Sequence, residues 1–450
     1  MKFQAYLVNT INTFNRFRFS QDIYYVSLIL IAMAMPFDRA ATNVAIGSLI
    51  SAWFIGINKD YFRIGNILTG QALLFVFFYG LYVIGMLYTS DWSKGMGRLE
   101  TQLVLLIFPV VIGFGPKINH YRYQRILKGF VLGCFIAVVS SLLYGLYRMI
   151  FVHDILHGSR NWNAYTIEKF LQNNPGADLD WNYFAYNELS SFLDLPPAYF
   201  SLYLGFAVFI ILTILIRHWK SWSFIKKGLG IFIIAIFTLF IVQLSSRGGI
   251  LAFVATFYFY LFYAFLSRKW YKAFFGIIGI ITIFLTFMFY YSPIVKYRMV
   301  QEIENQKFEI SPTDEINNAV AMRIVNWTCS IRVIKDNLLF GVGTGDDKIY
   351  LNQCYQNYNM GVNSMYLNAH NQFLQVGLSL GLFGLTLFLL TLFSPVLIAI
   401  RNNNQLFIVF IWLFVFSCLT ISLFESQNGT LFYAFFNSLM VFAARVSTSQ

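Results

Sequence analysis

Charged side chains are scarce in this 450-residue chain. Asp, Glu, Lys and Arg make up 12% of it, whereas 58% of the residues are hydrophobic and 19% are aromatic. Soluble domains carry about twice that fraction of charge, so a protein with water on all sides is excluded. The apolar runs do not alternate as the strands of a membrane barrel do, and several reach the roughly 20 residues of a membrane-spanning helix. The composition predicts an all-α, polytopic membrane protein.

The apolar runs predict about twelve transmembrane helices, which together form a single integral membrane domain over residues 1–450. We expect these helices near residues 22–37, 41–57, 67–88, 99–114, 127–150, 197–216, 228–244, 249–266, 273–291, 372–399, 406–423 and 431–446.

Basic residues are unevenly distributed between the predicted connections. With the N-terminus inside, most Lys and Arg residues fall in cytoplasmic segments, and the short outer connections hold few, namely Arg39, Lys94, Arg98 and Arg247. This asymmetry follows the positive-inside rule and predicts that both termini are cytoplasmic. The net charge of +12 therefore reflects topology, and no pattern typical of nucleic-acid binding is present in the sequence.

Two long connections, 151–196 and 292–370, fall on the outer side of the predicted bundle. Connections of this length are expected to fold over the outer face, and the stretch 314–337 of the second has helical character. Two of the four cysteines, Cys329 and Cys354, lie in this second connection, where an oxidising compartment would permit a disulfide. Two free, buried thiols are the alternative.

The sequence contains no nucleotide-binding P-loop. Gly341, Gly343 and Gly345 alternate in "LLFGVGTGDD", but the lysine and the serine or threonine of a P-loop are missing. Successive amides there can form an anion-binding nest, although an ordinary turn explains such a pattern more often. The acidic "DLD" at 178–180 resembles the metal-holding pair of some glycosyltransferases, with solvated surface as the simpler interpretation.

Arg247 stands inside a long apolar stretch, in "VQLSSRGGILAF" (242–253), which must form a helical hairpin with Gly248 and Gly249 near its turn. A charge at a membrane boundary is costly unless it is paired, so it marks a candidate functional residue. Snorkelling to lipid headgroups is the alternative, and the outer position of Arg247 disfavours it. Arg323 and Trp327 share a face of the outer-loop helix, but a solvated arginine is the simpler interpretation of Arg323.

His370 precedes a long apolar run in "NAHNQFLQVGLSLGLFGL" and stands at the outer boundary of the membrane. A neutral imidazole accepts a proton near neutral pH, and nearby arginines would keep it neutral. The alternative is a histidine that merely anchors its helix. Glu425, at the outer end of another span, has three possible roles: orienting His370, pairing with an arginine, or lying at the interface without a specific function.

Taken in order, these motifs resemble a known family. The segments "SSRGG", "RIVNW", "GVGTGD" and "AHNQFLQVGLSLGLFG", together with "FESQNG", are similar to the bacterial O-antigen ligase family, whose wider group includes O-antigen polymerases. The clear motifs cover residues 240–436, and the first two hundred residues agree mainly in topology.

The resemblance implies a GT-C-like glycosyltransferase of the bacterial inner membrane, with its active site facing the periplasm. Its donor would be a glycan on undecaprenyl diphosphate and its acceptor lipid A–core, with membrane lipids as further partners and no metal or other cofactor. Arg247 and Arg323 would bind the diphosphate, and His370 would act as the general base at the acceptor hydroxyl, which predicts inversion at the anomeric carbon. The supporting residues would be Gly341, Gly343, Gly345, Asn371, Glu425 and Trp327.

Three functions remain open at this point. A ligase in lipopolysaccharide biosynthesis is favoured, and a polymerase that uses a second lipid-linked glycan as acceptor shares the same chemistry. A transporter of lipid-linked glycan would place charged residues along a route through the middle of the membrane. The predicted spans contain few charges, and the candidate residues collect at one face, so a transporter fits least well.

Overall fold

The computed structural model describes residues 20–37, 39–56, 70–152, 183–268, 319–358 and 367–443, together with the isolated residues 276, 279 and 283. Among these residues, helices are the only regular secondary structure, and turns and loops connect them. The α-helices are α1 (Ser20–Ala34), α2 (Arg39–Gly56), α3 (Gly70–Gly85), α4 (Trp92–Gln102), α5 (Val104–Gly113), α6 (His120–Tyr147), α7 (Tyr186–Ser190), α8 (Pro197–His218), α9 (Phe224–Gln243), α10 (Arg247–Arg268), α11 (Ala319–Asp336), α12 (Asp347–Tyr355), α13 (Gln372–Arg401), α14 (Gln405–Cys418) and α15 (Gln427–Ala443).

The protein is a polytopic helical membrane protein, but the described residues do not support the expected number of about twelve spans. Six helical segments there are long and apolar enough to cross a membrane, namely Gly70–Tyr88, Trp92–Gly113, His120–Val152, Pro197–His218, Phe224–Gln243 and Gln372–Arg401. Three shorter apolar helices accompany them, namely Ser20–Ala34, Arg247–Phe262 and Gln405–Cys418.

The difference between the expected and the observed spans has a physical cause. An apolar run need not form one continuous membrane-spanning helix, and α14, with 14 residues, is too short by itself to cross a hydrocarbon layer about 30 Å thick. Helices α2 and α15 also lie where spans were expected, but they contain more polar residues, among them Asn43 in α2 and Asn437 in α15. The expected span at 273–291 falls mostly outside the described residues.

Aromatic side chains form the centre of the bundle, around the buried helix α15. The ring of Phe436 lies 4.8 Å, centroid to centroid, from the rings of both Phe130 in α6 and Phe206 in α8. Phe410 in α14 and Phe432 in α15 pack against the same group, and all five rings are fully buried. Large rigid side chains packed in this way fix the relative positions of the helices that carry them.

Helix α13 is interrupted at Gly381, whose φ of 61° lies in the left-handed region. The loop after α11 hydrogen-bonds to the interrupted turn: the Val342 amide donates to the Leu378 carbonyl, and the Leu382 amide donates to the Leu338 carbonyl, each at 2.8 Å. A Cβ atom at Gly381 would lie 2.4 Å from the backbone of Leu339, so glycine is required there. The outer loop is thereby fixed to the membrane bundle.

Helices α11 and α12 are joined by a disulfide between Cys329 and Cys354, whose Cα atoms are 5.7 Å apart. The two cysteines belong to a small apolar core that also contains Val325 and Leu351. Helix α11 packs on α13, so this small unit lies against the bundle. The other cysteines, Cys134 and Cys418, are buried in α6 and α14.

Candidate functional site

The segment 367–371 leads into α13 and carries His370. Asn371 caps the helix: its side-chain oxygen accepts hydrogen bonds from the amides of Phe373 and Leu374, as asparagine commonly does at a helix N-terminus. Its side-chain nitrogen donates to the carbonyl of Leu419 at 3.2 Å. Asn371 therefore joins the start of α13 to the turn that follows α14.

His370 itself is partly buried and has a φ of 47°, a conformation that few residues other than glycine adopt. Its amide donates to the side-chain oxygen of Asn368 at 3.0 Å. Burial, and then the positive charge of Arg323, lower the pKa of its imidazole to about 4. The ring is therefore neutral at pH 7 and makes no hydrogen bond within the described part of the chain, so it is available to accept a proton.

Helix α11 brings Arg323 to this histidine. The positive charge of Arg323 acts on the His370 imidazole, and both side chains are partly buried. Asn326, one helical turn beyond Arg323, donates from its side-chain nitrogen to the Asn368 carbonyl at 3.4 Å. Trp327 lies beside this contact and is 36% exposed, so its ring is open to solvent.

Asn326 is a residue that the sequence analysis missed. It is completely buried, and its side-chain oxygen makes no hydrogen bond among the described residues. The spacing of three between Arg323 and Asn326 places them on one helical face, so the motif "RIVNW" carried the signal.

Arg247 is the first residue of α10 and follows a tight turn in which Ser245 has a φ of 46°. Its neighbour Gly248 packs so closely against Thr420 that a Cβ atom there would lie 2.3 Å from the threonine hydroxyl. Thr420 follows Leu419, the residue whose carbonyl Asn371 contacts. The start of α10 and the start of α13 therefore converge on the same turn, with partly buried Arg247 on the α10 side.

Glu425 pairs with an arginine that the sequence analysis had counted only as a topology signal. The Nη2 atom of Arg98 lies 2.7 Å from the Glu425 carboxylate and 2.9 Å from that of Asp347. The Nη1 atom of Arg98 donates to the Thr344 carbonyl at 2.8 Å and to the Ser379 hydroxyl at 2.7 Å. Arg98 stands just before the apolar run predicted at residues 99–114, so its position at a membrane boundary could have singled it out.

The cluster of Arg98, Asp347 and Glu425 is nearly closed to water, because the exposed fractions of the three side chains are 8%, 2% and 14%. The single guanidinium of Arg98 forms ion pairs with both carboxylates. Burial is the main cause that raises the pKa of Glu425, and the nearby charge of Asp347 adds to it, while Arg98 acts in the opposite direction.

Gln375 connects this charged cluster to the segment that carries His370. Its side-chain nitrogen donates to the carboxylate of Asp347, and its side-chain oxygen accepts a hydrogen bond of 3.0 Å from the amide of Ala369. Gln375 is completely buried in the first turn of α13. The structure therefore brings Arg323, His370 and the Arg98 cluster to one end of the bundle.

Gly341, Gly343 and Gly345 serve close packing, since their amides are hydrogen-bonded within the protein. The Gly343 amide donates to the Ser379 carbonyl at 3.0 Å, and the Gly345 amide donates to the Thr89 hydroxyl at 3.3 Å. A Cβ atom at Gly341 or Gly345 would lie 2.4 Å or 2.3 Å from a backbone oxygen. This arrangement is the turn that the sequence analysis held as the alternative to an anion nest.

The described residues include no group of three or more His, Cys, Asp or Glu side chains placed to hold a metal ion. The acidic pair at 178–180 lies outside the described residues.

Comparison with known families matches residues 232–389 to the family model described as O-antigen ligase. The matched region begins in α9 and ends in α13, so it contains Arg247, Arg323 and His370 but neither Arg98 nor Glu425. No curated protein matches the chain.

Proposed function

Because residues 232–389 match the family model described as O-antigen ligase, we propose that this chain is a ligase-type membrane glycosyltransferase. It transfers a glycan from undecaprenyl diphosphate to a sugar hydroxyl of lipid A–core in lipopolysaccharide biosynthesis. The observation that carries this proposal is a neutral, partly buried His370, whose pKa the charge of Arg323 lowers, near the turn on which the start of α10 with Arg247 converges.

The two arginines would hold the donor's diphosphate. A planar guanidinium bonds two phosphate oxygens at once, a geometry that suits this leaving group. As the glycosidic bond breaks, negative charge grows on the diphosphate oxygen, and prepositioned arginines stabilise it without a metal ion. Arg247 is also the first residue of a 22-residue helix, where the helix dipole adds to the attraction for an anion.

In the transfer step, the acceptor hydroxyl oxygen attacks the anomeric carbon and forms the new carbon–oxygen bond. The bond from that carbon to the diphosphate breaks, and its electron pair leaves with the diphosphate. The hydroxyl proton passes to the His370 imidazole and then to water. Attack from the side opposite the leaving group inverts the anomeric configuration.

His370 is a weak base in the free protein because its pKa is about 4. A diphosphate bound at Arg323 would offset the positive charge that lowers this pKa and would therefore raise it. The imidazole would become a stronger base when the donor is present. We infer that donor binding precedes activation of the acceptor.

The basic residues of the short connections orient the protein in the inner membrane with both termini in the cytoplasm and His370 at the periplasmic face. In that orientation the connections 151–196 and 292–370 lie in the periplasm, and a disulfide such as Cys329–Cys354 fits that oxidising compartment. A lipid-linked donor would reach the site from the membrane, and the acceptor sugar would reach it from water.

A reconstituted transfer assay tests the function. Purified protein in liposomes receives the lipid-diphosphate glycan, with or without lipid A–core, and wild type is compared with His370→Ala. His218→Ala is the matched control, because His218 is exposed at the far end of α8. We expect product on lipid A–core from wild type and His218→Ala, and none from His370→Ala.

Other outcomes of that assay would overturn the assignment. Longer lipid-linked chains formed without lipid A–core would identify a polymerase. Full transfer by a correctly inserted His370→Ala protein would remove His370 from the mechanism. Absence of product from wild type with native donor and acceptor would leave a transporter of lipid-linked glycan as the remaining function.

A further inference from the structure

A cavity of about 160 Å³ lies against the Arg98 cluster, whose three side chains all line it. Helix α4 forms one wall with Lys94, Gly97 and Thr101, and Lys348 and Glu425 stand on the other side. Neither the proposed diphosphate site nor the proposed base uses these residues. A volume of this size is on the scale of a single sugar ring.

The walls of this cavity are held rigidly before any ligand arrives. The Asp346 carboxylate accepts hydrogen bonds from the amides of Ser90 at 2.7 Å and Asp91 at 2.8 Å, which fixes the start of α4 against the segment that carries Lys348. Asp346 is buried, and Arg98 crosses between the same two segments. A site that is already formed loses little entropy when it binds a ligand.

The cavity offers both hydrogen-bond donors and acceptors. One oxygen of Glu425 accepts from Arg98, and its other oxygen makes no hydrogen bond within the described residues. Thr101 donates its hydroxyl hydrogen to the Gly97 carbonyl, which leaves the hydroxyl oxygen free to accept. The ammonium groups of Lys94 and Lys348 supply donors at the rim.

This mixture selects for neutral hydroxyl groups. Each sugar hydroxyl donates one hydrogen bond and accepts others, so it can use carboxylate and ammonium groups side by side. A phosphate would be attracted by the cationic side chains, but Arg98 is already bonded to Asp347 and Glu425 and Lys94 to Asp91, and the carboxylates of Asp347 and Glu425 would repel it. A metal ion would face three cationic side chains, namely those of Lys94, Arg98 and Lys348.

The cavity is also close to the proposed chemistry. Asp347 lines it, and Gln375 connects Asp347 to the backbone of Ala369, the residue before His370. The side chain of Gln375 is therefore the link between the wall of the cavity and the segment that carries His370.

We propose that this cavity, lined by Lys94, Gly97, Thr101, Lys348 and Glu425, is a carbohydrate subsite that holds one sugar residue next to the reacting centre. The proposal rests on the proposed function for the source of that sugar, which is either the acceptor oligosaccharide or the glycan of the donor.

Gly97 allows a test that leaves the fold intact. A Cβ atom at Gly97 meets nothing within 4 Å, and the residue is exposed in the middle of a helix, so Gly97→Leu fills the cavity without a clash in the backbone. Gly228→Leu is the matched control, because Gly228 is likewise exposed and open but lies at the far end of α9. Thr101→Val removes a hydroxyl without changing the size of the side chain.

Kinetics in liposomes identify the sugar. We expect Gly97→Leu to raise the KM of one substrate at least tenfold, Thr101→Val to raise the same KM several-fold, and Gly228→Leu to match wild type. A raised KM for lipid A–core places the acceptor in the cavity, and a raised KM for the lipid-diphosphate glycan places the donor there. Unchanged KM values for both substrates in Gly97→Leu would overturn the proposal, as would a fall in kcat alone.

A binding measurement separates this proposal from the proposed function. Calorimetry in detergent uses two soluble probes, the core oligosaccharide released from lipid A and the oligosaccharide released from the donor lipid. If one of them binds wild type and Gly228→Leu but not Gly97→Leu, the subsite stands even if the wild-type protein transfers nothing. If neither probe distinguishes wild type from Gly97→Leu at millimolar concentration, there is no subsite, whatever the transfer assay shows.

Discussion

At the scale of single residues, the environment of His370 determines what its imidazole can do. Its pKa of about 4 is below the usual value of 6.5, so the folded protein keeps the ring neutral across a pH range in which the unfolded chain would bind a proton. The stability that this histidine contributes is complete above pH 6.5 and is lost as the pH falls from there through about 4.

The same shift predicts the pH dependence of transfer. We expect kcat/KM of wild type to fall on the acid side near pH 4, because this ratio reports the free enzyme's base. In Arg323→Gln the fall should move to higher pH, since a nearby positive charge is gone, but it should stay below 6.5 because burial is the larger cause. A wild-type profile that falls near 6.5 would mean that His370 is solvated or is not the base.

Arg247 is expected to act through the planar shape of its guanidinium as well as through its charge. Arg247→Lys keeps the positive charge but cannot bond two phosphate oxygens in one plane, so transfer should fall by about 10²- to 10³-fold. Arg247→Ala should fall at least as far. Both proteins should insert and elute as wild type does, which gel filtration in detergent checks. Full activity of Arg247→Lys would reduce this residue to a membrane anchor.

At the scale of elements, the interruption of α13 joins the outer loop to the bundle. Gly381→Ala would place a Cβ atom 2.4 Å from the Leu339 backbone in a left-handed conformation, so we expect a loss of at least about 1–3 kcal/mol in the free energy of unfolding. Thermal unfolding followed by light scattering measures it. Gly80→Ala, inside α3 where a Cβ atom meets nothing within 4 Å, is the control and should melt no lower than wild type does.

Helices α11 and α12 are joined by a disulfide that stabilises their packing. The bond between Cys329 and Cys354 closes a loop of 25 residues, and replacing both by serine should destabilise this unit by about 3 kcal/mol. Limited proteolysis measures the effect, with faster cleavage expected between α11 and α12. Because α11 carries Arg323, transfer should fall in parallel. Equal cleavage rates in wild type and the double variant would show that the apolar core alone holds the unit.

At the scale of the whole molecule, the Arg98 cluster joins segments that lie far apart in the sequence. Asp347 is 249 positions from Arg98, and Glu425 is 327 positions from it. Arg98→Ala would leave two buried carboxylates without their cation, so we expect a loss of about 3–5 kcal/mol in stability. Glu425→Gln should cost less, because Asp347 still pairs with Arg98. Melting temperatures test the order, and a milder effect from Arg98→Ala than from Glu425→Gln would contradict it.

Several features followed from the sequence alone. The scarcity of charge and the length of the apolar runs determined a polytopic helical membrane protein, because hydrocarbon accepts only backbones whose hydrogen bonds are internally satisfied. Local context singled out Arg247 and His370, since a charge or an imidazole at the edge of an apolar run is unusual wherever the chain goes. The helix around Arg323 followed from its periodicity, which is also a local property.

Tertiary structure decided the rest, because those features depend on which distant segments meet. The number of long spanning helices, the pairing of Glu425 with Arg98, and the contact of Asn326 with Asn368 have no signal within one short stretch. The pattern around Gly343 allowed both a nest and a turn, and only the carbonyl of Ser379, supplied by α13, determined where its amide bonds. Packing between helices fixes such contacts. A single sequence shows each of the two residues but not that they meet.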